Sequence, residues 1–157
     1  MKYIFFYKTD IGEIGIEENG EAITRVYFKK GVIAEDAVLK ETGLIKKAAR
    51  QLMEYLDGKR KVFELPLAIE GTEFMKSVWK ALCDIPYGET RSYGEIAQSI
   101  GNPKASRAVG MANNKNLIPI FIPCHRVIGA NGKLVGYYGG LEVKEHLLNL
   151  EKKHGNF

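Results

Sequence analysis

Cys124, His125 and Arg126 stand side by side in the stretch PIFIPCHRVIG, residues 119–129. A thiol, an imidazole and a guanidinium follow directly on the apolar run Ile120-Phe121-Ile122, which belongs in a core. A reactive cysteine acts as the thiolate, and neighbouring cationic or basic groups favour that form. The obvious chemistry is therefore nucleophilic attack by Cys124. One geometric condition attaches to it. In an extended strand, successive side chains point to opposite faces. Cys124 and His125 can cooperate only if the chain bends after Pro123 or a water links them. The second cysteine, Cys83 in WKALCDI, reads as a small buried hydrophobe on a helix. His146 and His154 read as surface residues on or after a terminal helix. Two Cys and three His lie scattered without metal-ligand spacing, so no metal is expected. No G-x-G-x-x-G follows a strand, so no nucleotide or methyl-donor cofactor is indicated either.

A second constellation is the segment PKASRAVGMANN, in which Ala105, Ala108, Gly110 and Ala112 are all small and Arg107 stands among them. Tight helix packing is one reading. The other is a helix able to approach a narrow surface such as a minor groove, with Arg107 entering it, flanked by Lys104 and Lys115. Both stay open on these residues alone.

Elements must hold these groups in place. The chain has 157 residues, 45% of them hydrophobic and 27% charged, with a net charge of +4. That is enough for one compact domain or two small ones with a real core. The mild positive balance is compatible with nucleic acid without requiring it. Two cysteines are no disulfide framework and point to a reducing interior. The start MKYIFFYKTD lacks the features of a signal peptide, and no run approaches a membrane span. A soluble cytoplasmic protein is expected.

Lys2 to Thr9, Ile11 to Glu18 and Ala22 to Phe28 read as strands, with Asn19-Gly20 as a hairpin turn. They predict a small antiparallel sheet. Leu44 to Leu56 reads as a helix with Leu44, Ala48, Leu52, Met53 and Leu56 on one face, stopped by Gly58. A short strand is expected at Val62 to Leu67. The boundary follows, giving an N-terminal α/β domain over residues 1–70 and a second domain over residues 71–157.

In the second domain, Thr72 can cap a helix with Phe74, Met75, Val78, Trp79 and Leu82 on its apolar face. Ser92-Tyr93-Gly94-Glu95 is a capping box, with Ile96, Ala97 and Ile100 as the buried stripe and Gly101 as the stop. Asn102-Pro103 reads as the cap and first position of the next helix, which runs to about Ala112. Helix, glycine turn, helix is the helix-turn-helix pattern. Leu141 to Lys152 forms a last amphipathic helix, with Leu141, Leu147, Leu148 and Leu150 as its apolar residues. The expected class is α+β, a small sheet with a helix and then a mainly helical domain.

"IPCHRV", taken with "SYGEIA", "GNPKASRAVG" and "GGLEVKEHLL", resembles the O6-alkylguanine-DNA alkyltransferases, the methylated-DNA–protein-cysteine methyltransferases. The resemblance covers Thr72 to Glu151 nearly without gaps, with four motifs in order. It implies that Cys124 accepts an alkyl group, that His125 is the base acting through a water, and that Glu151 orients the imidazole. It implies that Asn116 braces the site and that Tyr93 donates a proton toward the departing guanine. Arg107 would fill the space of an extruded base, and Ala105, Ala108, Gly110 and Ala112 would face the minor groove of double-stranded DNA. Tyr137, Tyr138 and Gly139 would wall the guanine pocket. No cofactor and no membrane partner is implied, and a monomer is expected.

Three departures stand out: Leu117 where many members have Pro, the large Tyr138 where several carry a small residue, and no N-terminal cysteines for the zinc site that some members build. Two rival classes are a non-catalytic binder of alkylated DNA, against which Cys124 argues, and a cysteine hydrolase or helix-turn-helix regulator. A regulator usually carries bulky base-reading side chains where Ala and Gly stand here.

Overall fold

The hairpin is the simplest element to derive. Strands β1 (Lys2–Thr9), β2 (Gly12–Glu18) and β3 (Ile23–Tyr27) pair antiparallel in sequence. Between β2 and β3 the Asn19 side chain accepts from the backbone of Glu21 and Ala22, each at 3.0 Å. Gly20 has φ 94, a region open to glycine at little cost. The computed structural model describes residues 1–28 and 36–155. A three-residue strand, β4 (Ala37–Leu39), runs parallel to β1, so the sheet has the order β3-β2-β1-β4 and is mixed, where the sequence predicts a wholly antiparallel one. Val38 and Leu39 are exposed, which leaves β4 no alternating pattern to read.

Helix α1 (Gly43–Leu56) is capped by Thr42, whose hydroxyl accepts from Ile45 N at 3.2 Å. Its buried face is Ile45, Ala48, Ala49, Leu52, Tyr55 and Leu56, the i, i+3, i+4, i+7 pattern of an amphipathic helix. Leu44 and Met53, expected on that face, lie at its margin. With Ile4, Ile14, Ile16 and Val26 these residues form the core of the first unit, Met1–Ile69. The strand expected over residues 62–67 is not formed. Only Leu67 bridges to Ile23, while Val62 is exposed and Pro66 has no N–H to give. Buried Gln51 does a strand's work instead, accepting from Glu64 N at 2.9 Å and donating to Glu64 O at 3.3 Å.

The second unit is Glu70–Phe157. Helix α2 (Glu73–Cys83) is capped by Thr72 and buries Val78, Trp79 and Leu82. Trp79 Nε1 donates to Ala112 O at 2.9 Å, fastening α2 to α4 (Ser106–Asn114). A two-residue strand β5 (Arg91–Ser92) leads into α3 (Tyr93–Ser99) through the expected capping box: Glu95 N donates to Ser92 Oγ at 3.1 Å, and Ser92 N to Glu95 Oε1 at 2.9 Å. Ser92→Ala removes the bond to the hydroxyl and keeps the one donated by the backbone N–H of residue 92. That variant should melt a few degrees lower while keeping its far-UV spectrum. An unchanged melting temperature would show the box to be dispensable.

A Schellman motif closes α3, with Gly101 N bonded to Gln98 O, Asn102 N bonded to Ala97 O, and Gly101 at φ 78. The second helix does not begin at Asn102-Pro103 as the sequence predicts. Asn102 O accepts from Ala105 N, closing a turn around Pro103 and Lys104, and α4 starts only at Ser106 without a side-chain cap. A residue before proline is steered away from the helical region, so Asn102 suits a turn.

The last helix, α5 (Leu141–His154), also differs from expectation. Leu141 is 48% exposed, and the fully buried stripe is Lys144, Leu147 and Glu151. One face of α5 thus carries a cation and an anion into the interior. Among the described residues no helix is long and apolar enough to cross a membrane.

Candidate active site

Pro123 makes the bend that the chemistry requires. Its backbone, φ −79 and ψ 62, forms an inverse γ-turn, with Cys124 N bonded to Ile122 O at 2.7 Å. Cys124, His125 and Arg126 then form one 3-10 turn, Cys124–Arg126, before strand β6 (Val127–Ile128) pairs with β5. Just upstream, Asn116 Nδ2 donates to Ile122 O at 3.0 Å and its Oδ1 accepts from Ile118 N at 2.9 Å. Asn116 thereby holds both ends of the loop that leads into Pro123. That loop contains Ile120 at φ 73, a β-branched residue in the left-handed region, and such strain persists only where the surroundings over-determine it.

The three side chains of the turn are buried, and two of them, His125 and Arg126, share the Glu151 carboxylate. His125 Nε2 donates to Glu151 Oε2 at 2.6 Å. Arg126 grips the same carboxylate with Nε to Oε1 at 2.8 Å and Nη2 to Oε2 at 3.1 Å, and its Nη1 donates to Ile85 O at 2.7 Å. Gly88 N is a fourth donor to the carboxylate, reaching Oε1 at 3.1 Å. Burial alone would raise the Glu151 carboxyl. The hydrogen bonds and charges of His125 and Arg126 outweigh it and hold the group at about 2. An ionised carboxylate only accepts, so Nε2 carries the proton in neutral His125 and Nδ1 is the basic nitrogen. Burial keeps His125 neutral, pulling it below its ordinary value against the opposing pull of Glu151.

Burial likewise pushes the Cys124 thiol up to about 11, while a hydrogen bond from Asn116 and the charge of Lys144 work the other way. In the resting protein, then, the thiol keeps its proton. Neighbouring cations do not dominate here, as the sequence expectation supposed, because desolvation is the larger effect. A reaction at sulfur must move that proton.

Tyr93, the first residue of α3, is half-buried. Burial first, and the Cys124 charge second, raise its phenol above the ordinary range. Tyr137 is raised well above its ordinary value by burial and by the charges of Cys124 and Glu151. Asn116 hydrogen-bonds to Cys124, and Tyr93 and Tyr137 lie near enough to feel a charge there. Tyr138 is 48% exposed and Gly139 partly so.

The small residues of α4 do not share one face. Arg107 and Ala108 are exposed and Ala105 is half-exposed, but Ala112 is 2% exposed and gives its carbonyl to Trp79. Gly110 lies against the Tyr93 ring, where an added Cβ would touch at 3.8 Å. Ala112 therefore belongs to the core, and Gly110 faces Tyr93, where the sequence expectation placed both against a groove.

Cys83, expected to be buried, is exposed just past the Val78-Trp79-Leu82 stripe. Partial burial and neighbouring Asp84 raise its thiol, which disfavours it as a nucleophile. Lys144 is the participant that sequence reasoning missed, and Arg126, noticed there only as a cation beside the thiol, is a partner of Glu151 instead. The available signal was register: Lys144, Leu147 and Glu151 recur at helical spacing on one face. Among the described residues no group of three His, Cys, Asp or Glu side chains could hold a metal ion.

A buried thiol thus shares one turn with an imidazole held by a carboxylate, in a unit with two helices joined by a glycine turn. Residues 73–153 match the 6-O-methylguanine DNA methyltransferase, DNA binding domain, and residues 2–69 match the ribonuclease-like domain of the same methyltransferase. The chain belongs to the 6-O-methylguanine DNA methyltransferase family. It is 54% identical over 152 residues to a methylated-DNA–protein-cysteine methyltransferase of Methanosarcina acetivorans, covering 95% of this chain and 97% of that one. It is 46% identical over 159 residues to the constitutive enzyme of that name from Bacillus subtilis, with 97% and 96% covered. A crystal structure of Mycobacterium tuberculosis OGT in complex with DNA superposes with a TM-score of 0.91 at 44% identity, over 97% of this chain and 94% of that one.

Proposed function

We propose that this protein repairs DNA directly, moving an alkyl group from O6 of guanine, and also from O4 of thymine, onto Sγ of Cys124. The observation that carries the reading is the buried Cys124 thiol in one turn with His125, whose Nε2 is held by the Glu151 carboxylate. His125 Nδ1 takes the thiol proton through a water. Sulfur attacks the alkyl carbon in line. The carbon–sulfur bond forms as the carbon–oxygen bond breaks, and the electron pair leaves with guanine. Tyr93 supplies a proton to that leaving group; its raised phenol keeps the proton available near neutral pH. Asn116 fixes the loop before Pro123, and Tyr137, Tyr138 and Gly139 wall the base pocket. No cofactor enters these steps.

The alkylated base must leave the stack, at a cost of a few kcal/mol. Exposed Arg107 fills the gap it leaves, while Ala105 and Ala108 let α4 approach the minor groove of double-stranded DNA. The protein works as a monomer in the cytoplasm. Because a thioether has no route back to thiol here, each molecule acts once. The alternatives, a non-catalytic binder of alkylated DNA or a helix-turn-helix regulator, leave the buried thiol and its proton route without a purpose.

The test is mass spectrometry of the intact protein after exposure to an oligonucleotide containing O6-methylguanine. One methyl per chain should appear, and peptide mapping should place it on Cys124. A methyl on Cys83, or many repaired guanines per protein, would overturn the proposal.

A further inference from the structure

Two buried asparagines serve the segment around Cys124, and they are used differently. Asn116, 4% exposed, engages both ends of its amide: Nδ2 donates to Ile122 O and Oδ1 accepts from Ile118 N. Asn113, in the last turn of α4, is as deeply buried at 3% exposed. Its Nδ2 donates to Cys124 O at 3.5 Å, long for such a bond, and its Oδ1 meets no donor among the described residues. A carbonyl oxygen in the interior normally has a partner, because leaving water without one is costly. Packing does not require the amide here. Cys124 O already accepts from Val127 N, and a leucine of the same shape would leave no acceptor unpaired.

Position shows what the amide faces. Gly110 and Asn113, three apart, share a face of α4. Gly110 lies against the Tyr93 ring, and Asn113 lies against the carbonyl of Cys124. The next residue, Asn114, reaches the loop before Tyr137: a Cβ added at Gly136 would meet Asn114 Oδ1 at 3.2 Å. The end of α4 therefore lies among Tyr93, Cys124 and the Tyr137 loop, the groups proposed to surround the base. Cys124 is itself only 4% exposed. Whatever motion admits a base to its sulfur also brings that base to the amide held against its carbonyl.

The chemistry of the base then selects the donor. An O6-alkylated guanine in DNA has no proton on N1, and its ring nitrogens and alkoxy oxygen only accept. Its 2-amino group carries its only N–H donors. O4-alkylated thymine has no N–H at all. An unpaired acceptor in this place is met by guanine and not by thymine.

We infer that Asn113 is a specificity-determining residue: its Oδ1 accepts a hydrogen bond from the 2-amino group of the alkylated guanine and so ranks that base above alkylated bases that lack the group. This rests on the reading that Cys124 takes the alkyl group from guanine O6. No covalent bond changes at Asn113; the amide holds the base with O6 toward the sulfur.

The experiment compares two single-stranded oligonucleotides that differ by that amino group alone, one containing O6-methylguanine and the other O6-methylhypoxanthine. Second-order rate constants for methyl transfer to Cys124 are measured for the full chain and for Asn113→Leu, and Trp79 fluorescence confirms that each is folded. The ratio of the two rates is the preference for the amino group, and comparing it between proteins cancels whatever the substrates do on their own. The parent should prefer O6-methylguanine about tenfold, the contribution of one hydrogen bond at about 1.4 kcal/mol. Asn113→Leu should reduce the preference to within about twofold, chiefly by slowing the reaction with guanine. Should Asn113→Leu fail to fold, Asn113→Ala, a substitution that favours the helix, carries the same comparison. A residue acting only on the fold would slow both substrates alike and leave the ratio untouched. Equal preferences in parent and variant, or no preference in the parent, would overturn the inference. If the parent takes no methyl at Cys124 from either oligonucleotide, the repair reading falls and the inference with it; transfer with an unchanged ratio refutes the role of Asn113 alone.

Discussion

Glu151→Gln is expected to slow alkyl transfer about a hundredfold or more, equally for a duplex lesion and for a free O6-alkylated guanine base. The carboxylate accepts from His125, from two nitrogens of Arg126 and from Gly88 N. A neutral amide of the same shape can keep one or two of these contacts. It cannot stabilise the imidazolium that forms when His125 takes the thiol proton. With the thiol held at about 11, that transfer is required at neutral pH for any substrate. The substitution also leaves the Arg126 guanidinium buried without its counter-ion, at a cost of about 3 kcal/mol.

The pH dependence carries its own sign. The Glu151 carboxyl lies at about 2 when folded, below its ordinary 4.5. It therefore contributes stability that is fully present above about 4.5 and is lost as pH falls from there through about 2. The parent should lose stability across that window, and Glu151→Gln should lack this part of the loss. Single-turnover rates on the two substrates, with melting curves at several pH values, measure both effects. Equal rates for parent and variant would remove Glu151 from the proton route.

Much of the frame around this residue is legible in the sequence, because its signals are local. Asn19-Gly20 sets a turn by its own backbone and side chain, and Ser92 with Glu95 caps a helix within four residues. The α+β class and the helix–glycine–helix pattern follow from such signals. What escaped depends on distant partners. β4 is three residues long and is defined by its pairing with β1. The segment around Glu64 has a strand-like composition, yet its backbone is satisfied by Gln51, which no local pattern announces. Asn102-Pro103 resembles a helix start, but the preceding Schellman motif and the turn closed by Ala105 N delay the helix to Ser106.

The site divides along the same line. Cys124 and His125 attract notice by residue type, and the resemblance brings in Glu151, Asn116, Tyr93 and Tyr137. Arg126 attracts notice as a cation beside the thiol, but its partners, Glu151 and Ile85 O, lie far away in the chain. Lys144 hides for a related reason: lysine is almost never fully buried, so a helical pattern discounts it as surface. The spacing of Lys144, Leu147 and Glu151 carries the information, and charge conceals it.

Arg107→Ala should separate handling of DNA from chemistry at sulfur. Arg107 lies exposed on α4 and makes no hydrogen bond or ion pair among the described residues. Its proposed work begins only when a base leaves the helix and the gap must be filled. Losing the side chain returns a cost of a few kcal/mol to the flipped state. Each 1.36 kcal/mol is a factor of about ten in rate, so repair of a duplex lesion should slow about a hundredfold. A free O6-alkylated guanine base needs no flipping, and its rate should stay within about twofold of the parent. Lys104→Ala is the companion variant. As a phosphate contact it should weaken duplex binding at any sequence and lessen the salt dependence, while the transfer step at saturating DNA stays unchanged. Single-turnover rates on both substrates, taken at saturating DNA and at two salt concentrations, distinguish these roles. If Arg107→Ala slowed the free base as much as the duplex, the side chain would belong to the framework that holds Tyr93 and Cys124, and the gap-filling role would fall.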